Sequence, residues 1–308
     1  MHILRRRGWE IPERLVTPEA LVMGRRTALA AAGAIALAAP TVAQQAGAMT
    51  PNPKYPPGRA ITPEKDATTY NNYYEFSDGK NLWKAAQAMK MQPWSIEIGG
   101  EVKQPRTISI EDLLKQVHLE ERVYRHRCVE AWAMTVPWTG FPLSQLLKIA
   151  EPLASAKYVV FETGQDTKAM EGLDSPFYPW PYIEGLAIDE AANDMAFIST
   201  GMYGKPLPPQ NGGPLRLTLP WKYGFKSAKA LAKITFGDKQ PVNFWQAIQP
   251  SEYGFWANVN PAVAHPRWSQ ATERLLGTNE VVPTQIYNGY GEFVASLYTN
   301  RTNEKLFM

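Results

Sequence analysis

The sequence predicts one α+β domain, because short strand-like and short helix-like segments follow one another without the regular βαβ repeat of a doubly wound fold. Residues 94–98, WSIEI, alternate apolar and polar side chains as a strand does. Residues 214–220, PLRLTLP, alternate three leucines with Arg216 and Thr218 between two prolines, which predicts a half-buried strand. Apolar side chains at helical spacing occur only in short windows, so we expect mixed sheets with short helices.

The remaining elements follow in chain order. Ser109 precedes apolar residues at helical spacing within 110–117, as a helix N-cap does. Residues 141–150, FPLSQLLKIA, predict a second short helix with proline in its first turn. Residues 157–163, KYVVFET, predict a buried strand, and residues 195–200, MAFIST, predict another.

The N-terminal segment 1–48 has the pattern of an export signal. Paired arginines at 25–26 precede an alanine-rich apolar stretch at 27–39, which is shorter than the roughly 20 apolar residues that a membrane-spanning helix needs. Small residues then suggest cleavage after Ala43 or Ala48. We therefore predict a cleaved twin-arginine signal peptide and a periplasmic protein.

The charge of the chain argues against a nucleic-acid partner. The 308-residue chain has a net charge of +3, and residues 1–48 contain six arginines and three glutamates, which leaves 26 basic and 26 acidic residues beyond them. A nucleic-acid-binding protein needs a basic face. Residues 49–69 are rich in proline and polar side chains and predict an extended arm, and residues 70–308 predict the folded domain.

Cys128 is the only cysteine, and it lies between Arg127 and Val129 in the stretch YRHRCVEAW. Cysteines of exported proteins usually pair as disulfides, so a lone one is a buried inert thiol, a nucleophile or a metal ligand. Arg125 and Arg127 predict a lowered thiol pKa, because cations favour the thiolate. His126, two residues away on a strand, is about 7 Å distant by strand rise and too far to act as a direct base.

Ordinary metal sites do not match this sequence. A structural zinc site needs four Cys or His ligands, covalent haem needs C-x-x-C-H, and an iron–sulfur cluster needs several cysteines. If Cys128 binds a metal, the other ligands must come from a cofactor. The twin-arginine route exports proteins already folded around such cofactors.

The segment RHRCVEAWAMTVPWTGFPL, residues 125–143, resembles the metal-ligand segment of the sulfite-oxidase superfamily of molybdopterin enzymes. Within that superfamily the chain is most similar to the catalytic subunits of periplasmic protein-methionine-sulfoxide reductases. The other segments that carry the resemblance are 70–76, 157–163, 204–229, 258–274 and 288–298. They extend over nearly the whole predicted domain, so the resemblance implies the sulfite-oxidase-type molybdopterin-binding fold.

The resemblance implies that Cys128 binds molybdenum as a thiolate, the other ligands being pterin dithiolene sulfurs and oxygens. The expected cofactor is the mononuclear, non-nucleotide molybdopterin. Its implied binding residues are Asn71, Tyr74, Glu75, Thr163, Asn211, Arg216, Ser227, Ala228 and Lys229, with Ser227 and Ala228 acting through backbone amides. Glu130 is a candidate catalytic carboxylate, and the alternative is a solvated strand residue.

The implied activity is reduction of methionine sulfoxide, free or in periplasmic proteins, to methionine by oxygen-atom transfer, as part of envelope protein repair. The chain has no haem motif, cluster cysteines or dinucleotide fingerprint, so electrons are expected from a membrane-bound haem-containing subunit to which the protein docks peripherally. One alternative is another enzyme of the superfamily, a sulfite dehydrogenase or an S- or N-oxide reductase. An alternative of another class is a cofactor-free exported binding protein.

Overall fold

The computed structural model describes residues 51–307. The predicted signal peptide and both cleavage sites lie outside the described residues. Among residues 51–307, no helix has the length and apolar character required to span a membrane.

Five strands form the first sheet, in the spatial order β2-β1-β10-β5-β6. They are β1 (Ser95–Gly100), β2 (Arg106–Ser109), β5 (Tyr158–Thr163), β6 (Ile183–Ala187) and β10 (Leu231–Gly237). Strands β1 and β10 pair in parallel, and the other neighbours are antiparallel. A sheet of both pairings agrees with the α+β prediction.

A seven-stranded sheet surrounds the central strand β4. Its strands are β3 (Glu120–Arg127), β4 (Trp132–Pro142), β7 (Phe197–Met202), β8 (Lys205–Pro206), β9 (Arg216–Thr218), β11 (Thr272–Leu275) and β12 (Val281–Pro283). Hydrogen-bonded neighbours follow the order β12-β11-β4-β7-β8, and in addition β3 pairs with β4 and β9 pairs with β7. Every residue of β4 is buried, because the strand has neighbours on both edges and packed side chains on both faces.

The helices are short and lie between the strands. They are α1 (Glu64–Thr69), α2 (Trp83–Ala86), α3 (Ile110–Leu114), α4 (Leu143–Ala150), α5 (Ile188–Ala192), α6 (Phe244–Ile248) and α7 (Gly291–Val294). The Ser109 hydroxyl accepts a hydrogen bond from the Asp112 N–H at 3.1 Å, so the predicted cap of α3 is confirmed. Such a cap contributes about 1 kcal/mol.

One cluster of buried side chains draws on both sheets. Ile98 of β1 and Phe161 of β5 belong to it, together with Trp138 of β4 and Phe197 of β7. The fold class predicted from the sequence is confirmed, since two mixed sheets with few short helices share this core.

Three local predictions differ from the structure. The strand within 214–220 is not half-buried, because Arg216 and Thr218 are both 2 % exposed in β9 beside β7. The helix predicted at 141–150 begins at Leu143, because the two preceding residues end β4. The predicted arm at 49–69 is not extended throughout, because α1 forms at Glu64–Thr69.

Candidate functional site

Cys128 occupies a tight turn between β3 and β4. Its N–H donates to the Trp132 carbonyl at 2.9 Å, and its carbonyl accepts from the Ala131 N–H at 3.1 Å. Ala131 has a positive φ of 60°. The three-residue hairpin loop 129–131 thus ends in a left-handed residue, a position that usually takes glycine. The turn directs the Cys128 side chain into a cavity.

The cavity encloses about 790 Å³ of empty space, part of it open to solvent. Nine of the residues predicted to form the site line it: Asn71, Tyr74, Glu75, Cys128, Glu130, Thr163, Asn211, Arg216 and Lys229. They come from five separate stretches of the chain, which the fold brings together.

With protein groups alone around it, the Cys128 thiol is protonated at neutral pH. Burial and then the Glu130 carboxylate raise its pKa to about 12, and the Glu130 N–H, Lys80 and Arg127 lower it only in part. The Glu130 N–H donates to Sγ at 3.4 Å. Coordination to a metal ion deprotonates a thiol, so a metal in this cavity would produce the thiolate.

The sequence prediction that Arg125 and Arg127 give this thiol a lowered pKa is wrong in its net result, because Arg127 opposes the upward shift only in part and Arg125 is not among the groups that shift it. Arg125 donates to the Gln285 side chain at 2.5 Å and to the Asn288 carbonyl at 3.1 Å. Arg127 pairs with the buried Glu273 carboxylate at 2.7 Å. Both guanidinium groups are engaged in structural contacts away from the sulfur, which adjacency in sequence could not indicate.

Glu130 is a cavity carboxylate rather than a solvated strand residue. Its Oε2 lies 3.9 Å from Cys128 Sγ, 2.5 Å from Lys80 Nζ and 3.1 Å from Asn72 Nδ2. Burial alone would raise its pKa, but the hydrogen bonds from Lys80 and Asn72 outweigh burial and hold the pKa below its usual value. Glu130 is therefore ionised at neutral pH.

Two asparagines present unpartnered oxygens to the cavity. The side-chain amides of Asn71 and Asn211 both point toward the carbonyl of Ala67, at 3.5 Å and 2.9 Å. The two Oδ1 atoms are buried and accept no hydrogen bond in the described part of the chain, and Thr163 Oγ1 is also buried without a partner. Buried polar atoms are almost always hydrogen-bonded. These atoms therefore indicate a polar ligand.

Buried cations lie on the same wall. Arg216 donates to the carbonyls of Asn211 at 2.8 Å and Ser227 at 3.1 Å, and no carboxylate pairs with it among the described residues. Lys229 Nζ lies 4.9 Å from the centre of the Tyr73 ring. Gly212, with φ 97°, permits this arrangement, since an added Cβ would lie 2.7 Å from Lys229 Cγ.

Glu75 and Tyr74 complete the predicted set at the cavity. Burial raises the pKa of Glu75, and nearby Lys229 opposes the shift only partly. Burial also raises the pKa of Tyr74, whose ring packs edge-on against Trp245 with centroids 4.8 Å apart. Glu75 and Lys229 thus oppose each other's shifts, whereas Arg216 is a cation of this wall with no carboxylate partner among the described residues.

Ser227 and Ala228 do not line the cavity but lie buried behind its wall. The Ser227 hydroxyl accepts from the Leu219 N–H at 3.1 Å, and the Ala228 carbonyl accepts from the Leu217 N–H at 2.8 Å. These bonds fix the loop that ends at Lys229. The side chain of Ser227 thus has a structural partner, and its N–H donates to the Gly224 carbonyl at 3.1 Å, so cofactor binding by this amide stays a prediction.

The sequence did not indicate several residues of the cavity. They are Tyr70, Asn72, His126, Val129, Trp132, Met134, Tyr182, Gln210, Gly224, Phe225, Trp245 and Tyr253. Most are aromatic or apolar and have the composition of core residues, so no sequence signal distinguished them. The glycine at 224 leaves room for the imidazole at 126, since an added Cβ would lie 2.5 Å from its Nε2. Burial, then Arg216 and Lys229, hold the pKa of that imidazole well below its usual value, so it is neutral.

The donor and acceptor pattern fits an extended polar ligand with an anionic end and a soft metal beside Cys128. Unpartnered oxygens at Asn71, Thr163 and Asn211 can accept from ring N–H groups. Arg216 and Lys229 can bind phosphate oxygens. A thiol sulfur suits a soft metal.

Comparison with known proteins agrees with this chemistry. Residues 84–245 match the oxidoreductase molybdopterin binding domain family. The chain is 47 % identical to the protein-methionine-sulfoxide reductase catalytic subunit MsrP of Burkholderia mallei, over 97 % of this chain and 96 % of that protein. It is also 47 % identical to the subunit of the same name from Pseudomonas syringae pv. tomato, over 94 % and 95 %. For the Ralstonia nicotianae subunit the identity is 45 %, over 98 % and 97 %. The chain belongs to the family of protein-methionine-sulfoxide reductase catalytic subunits, which are molybdopterin-binding oxidoreductases.

Proposed function

We propose that the protein is a molybdenum-dependent reductase that returns methionine sulfoxide, free or within proteins, to methionine. The observation that carries this proposal is the cavity in which Cys128 Sγ shares a wall with unpartnered buried oxygens and with Arg216, a cation that pairs with no carboxylate of the described residues. The names of the relatives supply the substrate, since they are protein-methionine-sulfoxide reductase catalytic subunits.

Cys128 would hold molybdenum, and the remaining predicted residues would hold the molybdopterin. Asn71, Thr163 and Asn211 offer oxygens to the pterin, and Tyr74 and Glu75 lie on the same wall. Arg216 and Lys229 would bind the phosphate, with the backbone of Ser227 and Ala228 shaping the loop beside it. When bound, the cofactor supplies two-electron oxygen-atom transfer to and from sulfur.

The protein's own groups must handle protons, because reduction of a sulfoxide consumes two electrons and two protons and releases water. Glu130 is the ionised carboxylate nearest the cysteine sulfur among the lining residues, 3.9 Å away. The Nζ atom of Lys80 lies 2.5 Å from Oε2 of Glu130. We assign Glu130 the role of accepting and delivering a proton at Oε2, with Lys80 and Asn72 orienting the carboxylate.

A partner subunit must deliver the electrons. The relatives are named catalytic subunits, which implies a second subunit. We propose a membrane-bound haem-containing donor that faces the periplasm, with this protein docking at the membrane surface after export by the twin-arginine route. Oxidised periplasmic proteins are the proposed substrates, and nucleic acid is not a partner.

Sulfite oxidation, the main alternative, would require several arginines around the anion. Arg216 is the one arginine among the described residues that line the cavity. Assays of the purified protein with sulfite and with methionine sulfoxide separate the two activities.

The test of the proposal is elemental analysis for molybdenum on the exported protein and on Cys128→Ser. We expect about one molybdenum per wild-type chain, loss of most of it in the variant, and no turnover of methionine sulfoxide by the variant. An unchanged unfolding midpoint would separate this loss from misfolding. A Cys128→Ser protein that keeps both metal and turnover would refute the proposal.

A further inference from the structure

The carbonyl of Val129, next to Cys128, accepts two hydrogen bonds from side chains distant in sequence. Trp268 donates from its indole Nε1 at 2.8 Å, and Gln270 donates from Nε2 at 2.8 Å. Both lone pairs of this carbonyl are thus used. The carbonyl of Ala131, at the end of the same turn, accepts from the backbone N–H of Arg274 at 2.9 Å. One segment of the chain therefore binds the turn at two places.

The turn requires such support, because Ala131 is in the left-handed region with φ 60°. Glycine adopts this conformation without strain, whereas a residue with a Cβ does not. A strained residue persists only where its surroundings hold it in place. The contacts from 268–274 supply that constraint directly beside the thiol.

The orientation of Gln270 is fixed by a buried chain of polar groups. Its Oε1 accepts from Arg127 at 2.8 Å, and Arg127 pairs with Glu273 at 2.7 Å. A guanidinium group only donates, so the atom of Gln270 that faces it must be the oxygen and its NH₂ must face Val129. The amide therefore cannot flip without breaking two hydrogen bonds.

Two side chains pack against the indole ring of Trp268. The imidazole of His265 stacks on it with centroids 3.8 Å apart and an interplanar angle of 9°. The guanidinium of Arg267 lies 4.8 Å from the ring centre and is anchored by Glu252 at 2.8 Å. This stack keeps Nε1 directed at the Val129 carbonyl.

We propose that Trp268 and Gln270 are positioning residues that fix the direction of Cys128 Sγ through the Val129 carbonyl. This inference rests on the proposed role of Cys128 as the metal ligand. Either donor alone still satisfies the carbonyl, whereas loss of both leaves it unpaired and frees the strained turn. The two residues therefore act as a redundant pair.

The test compares Trp268→Phe, Gln270→Met and the double variant as loaded enzymes. We expect each single variant to keep kcat within about threefold of wild type and the double variant to lose about 10–100-fold, a non-additive pattern. The decisive readout is the electron paramagnetic resonance spectrum of molybdenum(V), which depends on the direction of the sulfur ligand. We expect a shifted or broadened spectrum in the double variant, with its molybdenum content retained.

The matched control is Trp256→Phe, which deletes an indole hydrogen bond to Glu304 of 2.6 Å outside the cavity and should leave the spectrum unchanged. A wild-type spectrum in the double variant would overturn the inference whatever its kcat. If the double variant does not fold, Trp268→Phe combined with Gln270→Glu decides, since it keeps an acceptor for Arg127 but removes both donors to the Val129 carbonyl. A changed spectrum in that variant supports the inference, and an unchanged one overturns it. A Cys128→Ser protein that keeps both metal and turnover would refute the proposed function separately, before these variants are considered.

Discussion

Three lysines within residues 222–229 differ in whether a carboxylate of the protein pairs with them. Lys222 and Lys226 each contact a fully buried carboxylate, Glu190 at 2.5 Å and Glu184 at 2.8 Å. Lys229 makes no ion pair within the described part of the chain and faces the cavity. The first two charges are neutralised by the fold itself. The third is available to a ligand.

The arginines repeat this contrast. Arg127 pairs with Glu273, and neither side chain is exposed. Within residues 51–307, Arg216 donates its hydrogen bonds to backbone carbonyls and lies over the face of Trp138, 5.3 Å from the ring centre. Burial without a carboxylate lowers the pKa of Arg216 to about 10. A buried cation that lacks a carboxylate therefore marks the binding site better than cationic character alone.

The largest expected effect comes from breaking a paired cation. Lys222→Met leaves the Glu190 carboxylate buried without its partner, so we expect the free energy of unfolding to fall by about 3–5 kcal/mol. Urea unfolding measures this change. Adding Glu190→Gln removes the stranded charge and should recover part of the loss. A single variant as stable as wild type would contradict the structural role of the pair.

An intermediate effect is expected at the cavity. Lys229→Met removes a cation that makes no ion pair in the described chain and only partly opposes the raised pKa of Glu75, so the cofactor-free protein should keep its stability within about 1 kcal/mol. Loss of a charged hydrogen bond to the phosphate should weaken cofactor binding by about 1.5–3 kcal/mol. Pterin and molybdenum content per chain measure this loss.

The matched control for Lys229→Met is Lys233→Met, a change at a lysine whose side chain is 40 % exposed. It should affect neither cofactor content nor stability. A Lys229→Met protein as unstable as Lys222→Met would remove the distinction between paired and cavity cations.

The smallest effect is expected at an exposed pair. Burial would raise the pKa of Asp194, but hydrogen bonds from Lys54 and Tyr55 and the charge of Arg122 lower it to about 2. Because the folded pKa lies below the unfolded one, the stabilisation is present above about pH 4 and is lost as pH falls toward 2. Exposed pairs contribute less than about 1 kcal/mol. Asp194→Asn should therefore lower the urea midpoint slightly at pH 6, with a difference that shrinks at pH 3. An equal difference at both pH values would exclude the ionised carboxylate as its cause.

The sequence by itself determined the fold class and the chemical centre. Alternation at residues 94–98 and the cap at Ser109 act over a few residues, so local pattern predicts β1 and the start of α3. Cys128 needs no structure to be identified, because it is the only cysteine of the chain. Nine of the predicted site residues line the cavity, and those other than Cys128 were identified through the family resemblance rather than through any local pattern.

Only the tertiary structure decided how the charges are used. Sequence placed Arg125 and Arg127 beside the thiol, but Gln285 and Glu273 turn both guanidinium groups away from it. The Ala67 carbonyl, in a segment predicted as an extended arm, orients asparagines that are far apart in the chain. Ion pairing and hydrogen bonding depend on distances of a few ångströms between remote residues, and these distances exist only after the chain has folded.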